Sequence, residues 1–439
     1  NTPQSQTGVW KARWNLASAP PSKYSSYCRR TAPEMAPLIR PLKGLRPLPE
    51  HAADVAAPPY DVLDTAEARV RAKDRALSFL HISKPQIDLP EGTDPVAPEV
   101  YAKGAENLQR MIDDGVLVRD TTACFYLYRL RIDGHEQEGL VFAASIAEYD
   151  NNRIRRHEFT QPAKEDDRVQ QITALNAQTG PVLLAYRSSA KVKKIMDAVT
   201  KEKPIYNLVM DDGIGHSLWV IDNFAQIDKL TRLFEEMDAL YIADGHHRTA
   251  AASRVAASKE KANPAHTGDE AYNYFLCVAF PHDKTRILDY NRVIRDLNDW
   301  APEQLLEEIE RRFEVTPEDS AVRPDRPAQF GMYLEGHWYR LDIRDEWIPV
   351  DDPTARLDVT LLQDNLIGPL LGIEDQSNDP RIDFIGGINA LEQLEKSVDS
   401  GAMQIAFAFF PTRIQDLMAV ADANEIMPTK STWFEPKLA

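Results

Sequence analysis

ALYIADGHHRTAAASRV, residues Ala239–Val255, sets an apolar strand, an acid, a glycine, two adjacent histidines and an arginine directly before an alanine-rich helix. The alanines suit a helix interior, because alanine loses no side-chain entropy there. The polar cluster at the helix mouth needs another explanation. The first N–H groups of a helix have no partner inside it, and the helix dipole makes that end positive. A glycine at the turn lets an anion come close to the backbone. His246, His247 and Arg248 add donors at the same place, and Thr249 adds a hydroxyl. An arginine can grip a phosphate through two parallel hydrogen bonds. Residues Gly245–Thr249 are therefore expected to cradle phosphate. Asp244 would repel a phosphate unless a cation intervenes or a proton moves, so it is expected to hold Mg²⁺ or to accept a proton from an attacking hydroxyl. The plain alternative makes Asp244 a helix N-cap worth about 1 kcal/mol, with solvated histidines. It explains the acid but not the HHR. Zinc fits less well, since neighbouring helical histidines point apart and no HxxxH spacing occurs.

Outward from this stretch, short strands and helices alternate from Met35 onward. Cys124–Ile132 and Leu140–Tyr149 are predicted strands of a hairpin that turns at Gly134. Val182–Tyr186, His216–Asp222, Ala239–Ala243 and Tyr272–Phe280 read as further strands. Glu67–Arg75, Glu99–Asp114, Lys164–Leu175, Gln226–Met237 and Thr249–Lys261 read as helices, and the proline-rich Pro85–Pro98 as a loop. Farther on, Leu305, Leu306, Ile309 and Phe313 recur about once per helical turn and predict a helix over Glu303–Phe313. Gln329–Ile343 predicts a hairpin turning at Glu335-Gly336, and Met403–Phe410 an apolar strand. The fold class is α+β, with the hairpins arguing for antiparallel or mixed sheets. The expected organisation is a leader or arm over residues 1–34, a nucleotide-binding core over 35–299 with insertions, and an α/β region over 300–439 packing on that core.

The totals narrow the function further. The chain has 439 residues and a formal net charge of −17, which opposes association with nucleic-acid backbone. Residues 1–34 carry net +4 in a Ser/Pro/Ala-rich stretch; an upstream-translated leader, a transit peptide and a structural arm all fit, and a leader with no part in the chemistry is expected. No run reaches the roughly 20 apolar residues that would cross a bilayer. The three cysteines, Cys28, Cys124 and Cys277, lie far apart, which excludes a cysteine-rich metal site and fits a reducing, cytoplasmic setting. Cys124 and Cys277 read as buried thiols, and His81, His216 and His337 as structural. The totals are compatible with a homo-oligomer.

Three other motifs carry chemistry. RRHEFTQPAKEDDR (Arg155–Arg168) offers Glu158 as a base, Arg168 as a holder of an anionic oxygen, and His157 and Thr160 beside them. Its plain alternative is a solvated charged helix start. APPYDVL stiffens the chain before Tyr60 and Asp61, and Tyr60 could stack on a base or bond a phosphate. The alternative there is an entry turn with a packed tyrosine. MPTKSTWF sets Lys430, Ser431 and Thr432 in sequence, a stretch that could close over phosphates although it lacks the glycines of a P-loop. Otherwise it is a chain end packing Trp433 and Phe434 on the core.

Taken together, APPYDVL, RRHEFT with KEDDR, YIADGHHRTAAA and MPTKSTWFEPK resemble the proteins grouped as "domain of unknown function 1015" over nearly all of Met35–Ala439. The strand–DGHHR–helix unit resembles the ParB/sulfiredoxin-like superfamily and, within it, the free serine kinases. Thr429 departs from the pattern, where a second proline is expected. The resemblance implies a mixed-sheet nucleotide-binding core and a kinase using ATP or ADP with Mg²⁺, free L-serine being the first acceptor to consider. It assigns Asp244 and Glu158 to catalysis, and Gly245–Thr249 with Lys430–Thr432 to the nucleotide phosphates. Tyr60, Asp61, His157, Thr160 and Arg168 are assigned to the substrate. Two rivals remain at this stage: a nucleotide hydrolase or switch, and a non-catalytic ParB-type nucleotide or nucleic-acid binding module.

Overall fold

The computed structural model describes residues 37–438. The leader expected over residues 1–34, with Cys28 and Met35, lies outside the described residues. The described residues form one compact unit built on two large sheets and thirteen α-helices.

The first sheet has nine strands. Eight follow the order Ile154–Arg155, Leu240–Asp244, Val182–Tyr186, Tyr274–Pro281, His135–Ser145, Phe125–Ile132, Gly215–Ile221 and Tyr206–Val209. Ile39–Arg40 also pairs with His135–Ser145. Two pairings are parallel, Leu240–Asp244 with Ile154–Arg155 and Tyr274–Pro281 with Val182–Tyr186. The sheet is therefore mixed. Its central hairpin turns at Asp133-Gly134, both left-handed (φ 48° and 76°), the backbone that a two-residue hairpin turn demands. Glu335-Gly336 repeats the device in the second sheet (φ 48° and 81°).

The second sheet has six strands in the order Phe313–Glu318, His337–Ile343, Gln329–Leu334, Ile405–Phe409, Tyr290–Ile294 and Ile382–Gly386. One apolar core joins the two sheets, with Leu183, Tyr241 and Phe280 from the first and Phe330, Met332 and Phe407 from the second. Each such side chain removed from water gains about 1.5–3 kcal/mol. A second core lies within the first sheet's territory, where Phe142, Tyr186 and Phe234 pack ring against ring.

Two predicted elements give way before their expected ends to an element of another kind. The strand expected to run to Tyr149 stops at Ser145, whose hydroxyl accepts from Glu148 N (3.4 Å) and starts the helix Ile146–Asp150. The helix expected through Phe313 stops at Ile309, and Phe313 opens a strand with its ring fully buried. An apolar residue four positions past Ile309 suits either continuation, and the sheet edge claimed it.

Helix Pro162–Leu175 packs on helix Pro98–Asp113 on one side and on helix His246–Ala262 on the other. Arg254 reinforces the second contact by bonding Glu165 (3.1 Å) and Asp166 (2.7 Å). These helices hold the mouth of His246–Ala262 against the segment that follows strand Ile154–Arg155.

Candidate functional site

Strand Leu240–Asp244 is buried from Leu240 to Ala243, and Asp244 emerges partly exposed. Gly245 follows at φ +102° and occupies the N-cap position with no side-chain cap. A Cβ on Gly245 would lie 3.1 Å from Arg248 Nε, so both backbone and space call for glycine. Asp244 is thus not the cap. Its carboxylate instead accepts from Arg248 Nη2 (2.6 Å), and Arg248 Nη1 donates to the Pro181 carbonyl. Partial burial pulls the Asp244 carboxyl upward, but Arg248 and Lys437 together hold it below the usual range.

The other mouth side chains are also engaged. His246 is buried, its Nε2 accepting from His157 N–H at 3.4 Å. His247 Nε2 accepts from Gln161 N–H at 3.0 Å. The Thr249 hydroxyl donates back to the Gly245 carbonyl (3.2 Å) and is fully buried. What the mouth offers without a side-chain partner is its first-turn amides. Near them stand Lys430 and Lys437, neither within ion-pair distance of a carboxylate among the described residues. Lys430 lies 5.6 Å from the Tyr290 ring centroid and Lys437 4.7 Å from that of Trp433.

The sequence-remote motifs meet here. Tyr60 and Asp61 act electrostatically on the Arg248 guanidinium. Arg168 lies 4.0 Å over the Tyr60 ring while bonding Asp167 (2.6 Å), and Lys84 ties the Tyr60 and Leu63 carbonyls (3.0 and 2.6 Å). Burial pushes the Glu158 carboxyl up, opposed by Lys430 and Lys164 and aided by Asp244. Burial likewise pushes Lys430 down, and Tyr290, Glu158 and Asp61 more than restore it. Other expected residues turn inward. Thr160 donates to Glu165, Ser431 is buried and donates to the Pro428 carbonyl (2.5 Å), and Thr432 is half-buried beside it.

His157 is the most confined. It is 1 % exposed, and neither ring nitrogen makes a hydrogen bond of good geometry, although the Ile242 backbone approaches the ring. An unpaired buried polar atom costs roughly 1–3 kcal/mol. Burial drives its pKa down to about 4 and drives His246 well below its ordinary value, so both rings are neutral at neutral pH. Sequence reasoning missed how these rings face each other, because the parallel pairing of Leu240–Asp244 with Ile154–Arg155 brings their segments together. It also missed Lys84, Lys437 and the exposed ring of Phe159, 69 % accessible between Glu158 and Thr160.

A cavity of about 1110 Å³ lies elsewhere. It touches the same helix at Ala252, Val255 and Lys259 and is lined also by Tyr126, Gln178 and His216, while none of residues 244–249 borders it. Among the described residues no helix is long and apolar enough to cross a membrane.

Fold and site together define an α/β protein in which strand Leu240–Asp244, next to the edge of the first sheet, ends at an uncapped helix mouth ringed by titratable groups from four separate segments. The chain belongs to the family described as "Protein of unknown function (DUF1015)", which it matches over residues 39–360. No curated protein matches it. Among solved structures it is similar to a free serine kinase in complex with AMP (12 % identity, TM-score 0.34, covering 67 % of this chain and 86 % of that one). It is similar also to a conserved hypothetical protein from Pyrococcus furiosus (11 %, 0.32, 68 % and 92 %). A third is SbnI with a C-terminal truncation from Staphylococcus aureus (12 %, 0.33, 68 % and 84 %). Likenesses this distant carry no inference about the chemistry of this chain.

Proposed function

We propose that this protein is a nucleotide-dependent phosphotransferase acting on a small hydroxylated metabolite, with free L-serine the first acceptor to test. The proposal includes the ParB/sulfiredoxin-like assignment of the core. The observation that carries it is the uncapped mouth at Gly245, faced by Tyr60-Asp61, Glu158 and Lys430. The first-turn amides and Lys430 would hold the terminal phosphates of ATP or ADP. Arg248 would act mainly by fixing Asp244 and the glycine turn, since both its terminal nitrogens already have partners.

Arg248 engages Oδ2 of Asp244, and the other carboxylate oxygen would serve a Mg²⁺ shared with the phosphates. Glu158, its carboxyl raised by burial, would take the proton of the acceptor hydroxyl. Tyr60, Asp61 and Arg168 would bound the acceptor from the other side. Positioning and charge neutralisation supply most of the rate in phosphoryl transfer, which suits a site made of amides, lysine and carboxylates. The excess of acid over base, a formal net charge of −17, favours this reading over a nucleic-acid module.

The test is direct. Purified protein is incubated with ATP or ADP, Mg²⁺ and serine, and phosphoserine is followed by mass spectrometry. Phosphoserine formation is the expected result. Nucleotide binding without product from either donor would remove serine kinase, and phosphate release without any acceptor would favour a hydrolase.

A further inference from the structure

We propose that His157, Glu158 and His246 form a binding site for one divalent first-row transition-metal ion, separate from the Mg²⁺ expected at Asp244. One donor atom from each residue falls within 4.8 Å of the other two. His246 Nδ1 and a Glu158 carboxylate oxygen are 4.0 Å apart, and the two rings meet edge to face with centroids at 4.5 Å. Donors about one ion sit roughly 2.0–2.2 Å from it, which places them some 3–4 Å from one another. Small side-chain rotations close the difference.

The observation that points to a ligand is His157. Its side chain is buried, neither ring nitrogen makes a hydrogen bond of good geometry although the Ile242 backbone approaches the ring, and the ring faces His246. Buried polar atoms normally have partners, and the Ile242 backbone can serve at most one of the two nitrogens, which leaves the other for a ligand. The backbone on either side is fixed. His157 N–H reaches the His246 ring, and the His157 carbonyl accepts from Met427 N–H at 2.8 Å. His246 sits at the first position of its helix, directly after the left-handed Gly245, so its ring direction is set by that turn. Binding through Nδ1 leaves the ring proton on Nε2, and the long 3.4 Å contact from His157 N–H then gives way.

The donor set selects the ion. Two imidazole nitrogens and one carboxylate suit zinc, manganese, ferrous iron or cobalt, whereas Mg²⁺ asks for oxygen donors. Three protein donors leave coordination positions open, as sites that act on a bound ligand require. Glu158 is the one member with appreciable side-chain exposure (29 %, against 4 % for His246), so a further ligand would reach the ion from the Glu158 side. A carboxylate holding the ion cannot take a proton at the same time. Occupancy would therefore switch Glu158 from base to ligand.

The test uses the full chain and does not depend on turnover. The metal-stripped protein is titrated with Zn²⁺ by calorimetry and with Co²⁺ by its visible ligand-field absorption. One equivalent per chain is expected, with nitrogen donors seen by X-ray absorption at the Co²⁺ edge. His157→Gln, His246→Gln and Glu158→Gln should each weaken Zn²⁺ by more than the roughly 10–100-fold that even outer-shell partners contribute. Glu158→Gln, at a partly exposed position, keeps the test valid if a buried histidine variant fails to fold, and thermal unfolding identifies such a failure. Affinity unchanged in folded Glu158→Gln, or no equivalent bound by the parent chain, overturns the site. Phosphoserine production by metal-stripped protein with Mg²⁺ bears on the kinase reading alone.

Discussion

Strand Leu240–Asp244 in the first sheet and strand Tyr290–Ile294 in the second are both packed into the core, yet they treat charge in opposite ways. The first is apolar until its last residue and releases Asp244 at a turn where side chains from four segments meet. The second carries Asn291 and Arg292 in its middle, both fully buried. Asn291 donates to Asp289 (2.6 Å) and accepts from Phe409 N–H (3.0 Å). Arg292 lies over the Phe384 and Phe409 rings (5.1 and 4.8 Å) and bonds the Tyr290 carbonyl and Gln376 (3.2 Å). Burial pushes its pKa down to about 9, and it remains a cation at neutral pH. Polar groups fixed mid-strand inside an aromatic box have no room to exchange partners. Those at a strand end, with uncapped amides beside them, can trade a neighbour for a ligand.

The sharpest break of this contrast is Asp244→Asn. If the strand end is the reacting site and Asp244 holds its cation, turnover should fall by about 10²–10³-fold or more, the size of one lost electrostatic stabiliser. Nucleotide affinity should stay within about tenfold, or 1.4 kcal/mol. Paired phosphoserine rates and nucleotide titrations decide it, and full turnover would class Asp244 with the structural charges of the second sheet. Next in size is Gly245→Ala. A side chain forced to φ +102° and against Arg248 at 3.1 Å should cost about 1–3 kcal/mol by denaturant unfolding, with nucleotide binding impaired as well. A parental midpoint would show that the turn does not need glycine.

From the second region, Asp358 tests the cost of a fixed charge. Burial, helped by Asp416, pushes its carboxyl from 3.8 up to about 7, although Ala328 N–H donates to it (2.8 Å). A raised acid favours the protonated fold. Its contribution is therefore fully present below 3.8 and is lost as pH rises through about 7. Asp358→Asn should flatten that decline, so urea midpoints on either side of the window should converge, with nucleotide affinity untouched. A decline as steep as the parent's would assign it to other groups. The smallest effect belongs to Thr249→Val. Its hydroxyl serves only the Gly245 carbonyl, so the loss should be about 0.5–1.5 kcal/mol with no change in nucleotide affinity. Weaker nucleotide binding in that variant would return the hydroxyl to the phosphates.

Much of the scaffold was legible from residue pattern. The alternation in Phe125–Ile132, the Asp133-Gly134 and Glu335-Gly336 turns, and the helix following DGHHR all appear where local preferences put them. Strands Ile39–Arg40 and Tyr206–Val209 escaped notice because each is short and acquires its role only by pairing with a longer neighbour, and Ile382–Gly386 because it is defined by its pairing with Tyr290–Ile294. Within the site, the motif Asp244–Thr249 stood out by composition. The partners of its members did not. Arg248 turned to Asp244 and Pro181, and Thr249 to its own helix.

Sequence alone determined the glycine at the turn, the helix it opens and the charged motifs, because backbone conformation and hydrophobic period are set within a few residues. Tertiary structure alone decided that His157 should face His246 and that Lys430 should act on Glu158. The parallel pairing of Leu240–Asp244 with Ile154–Arg155 brings those segments together. That pairing depends on sheet order, which no local preference of either segment encodes.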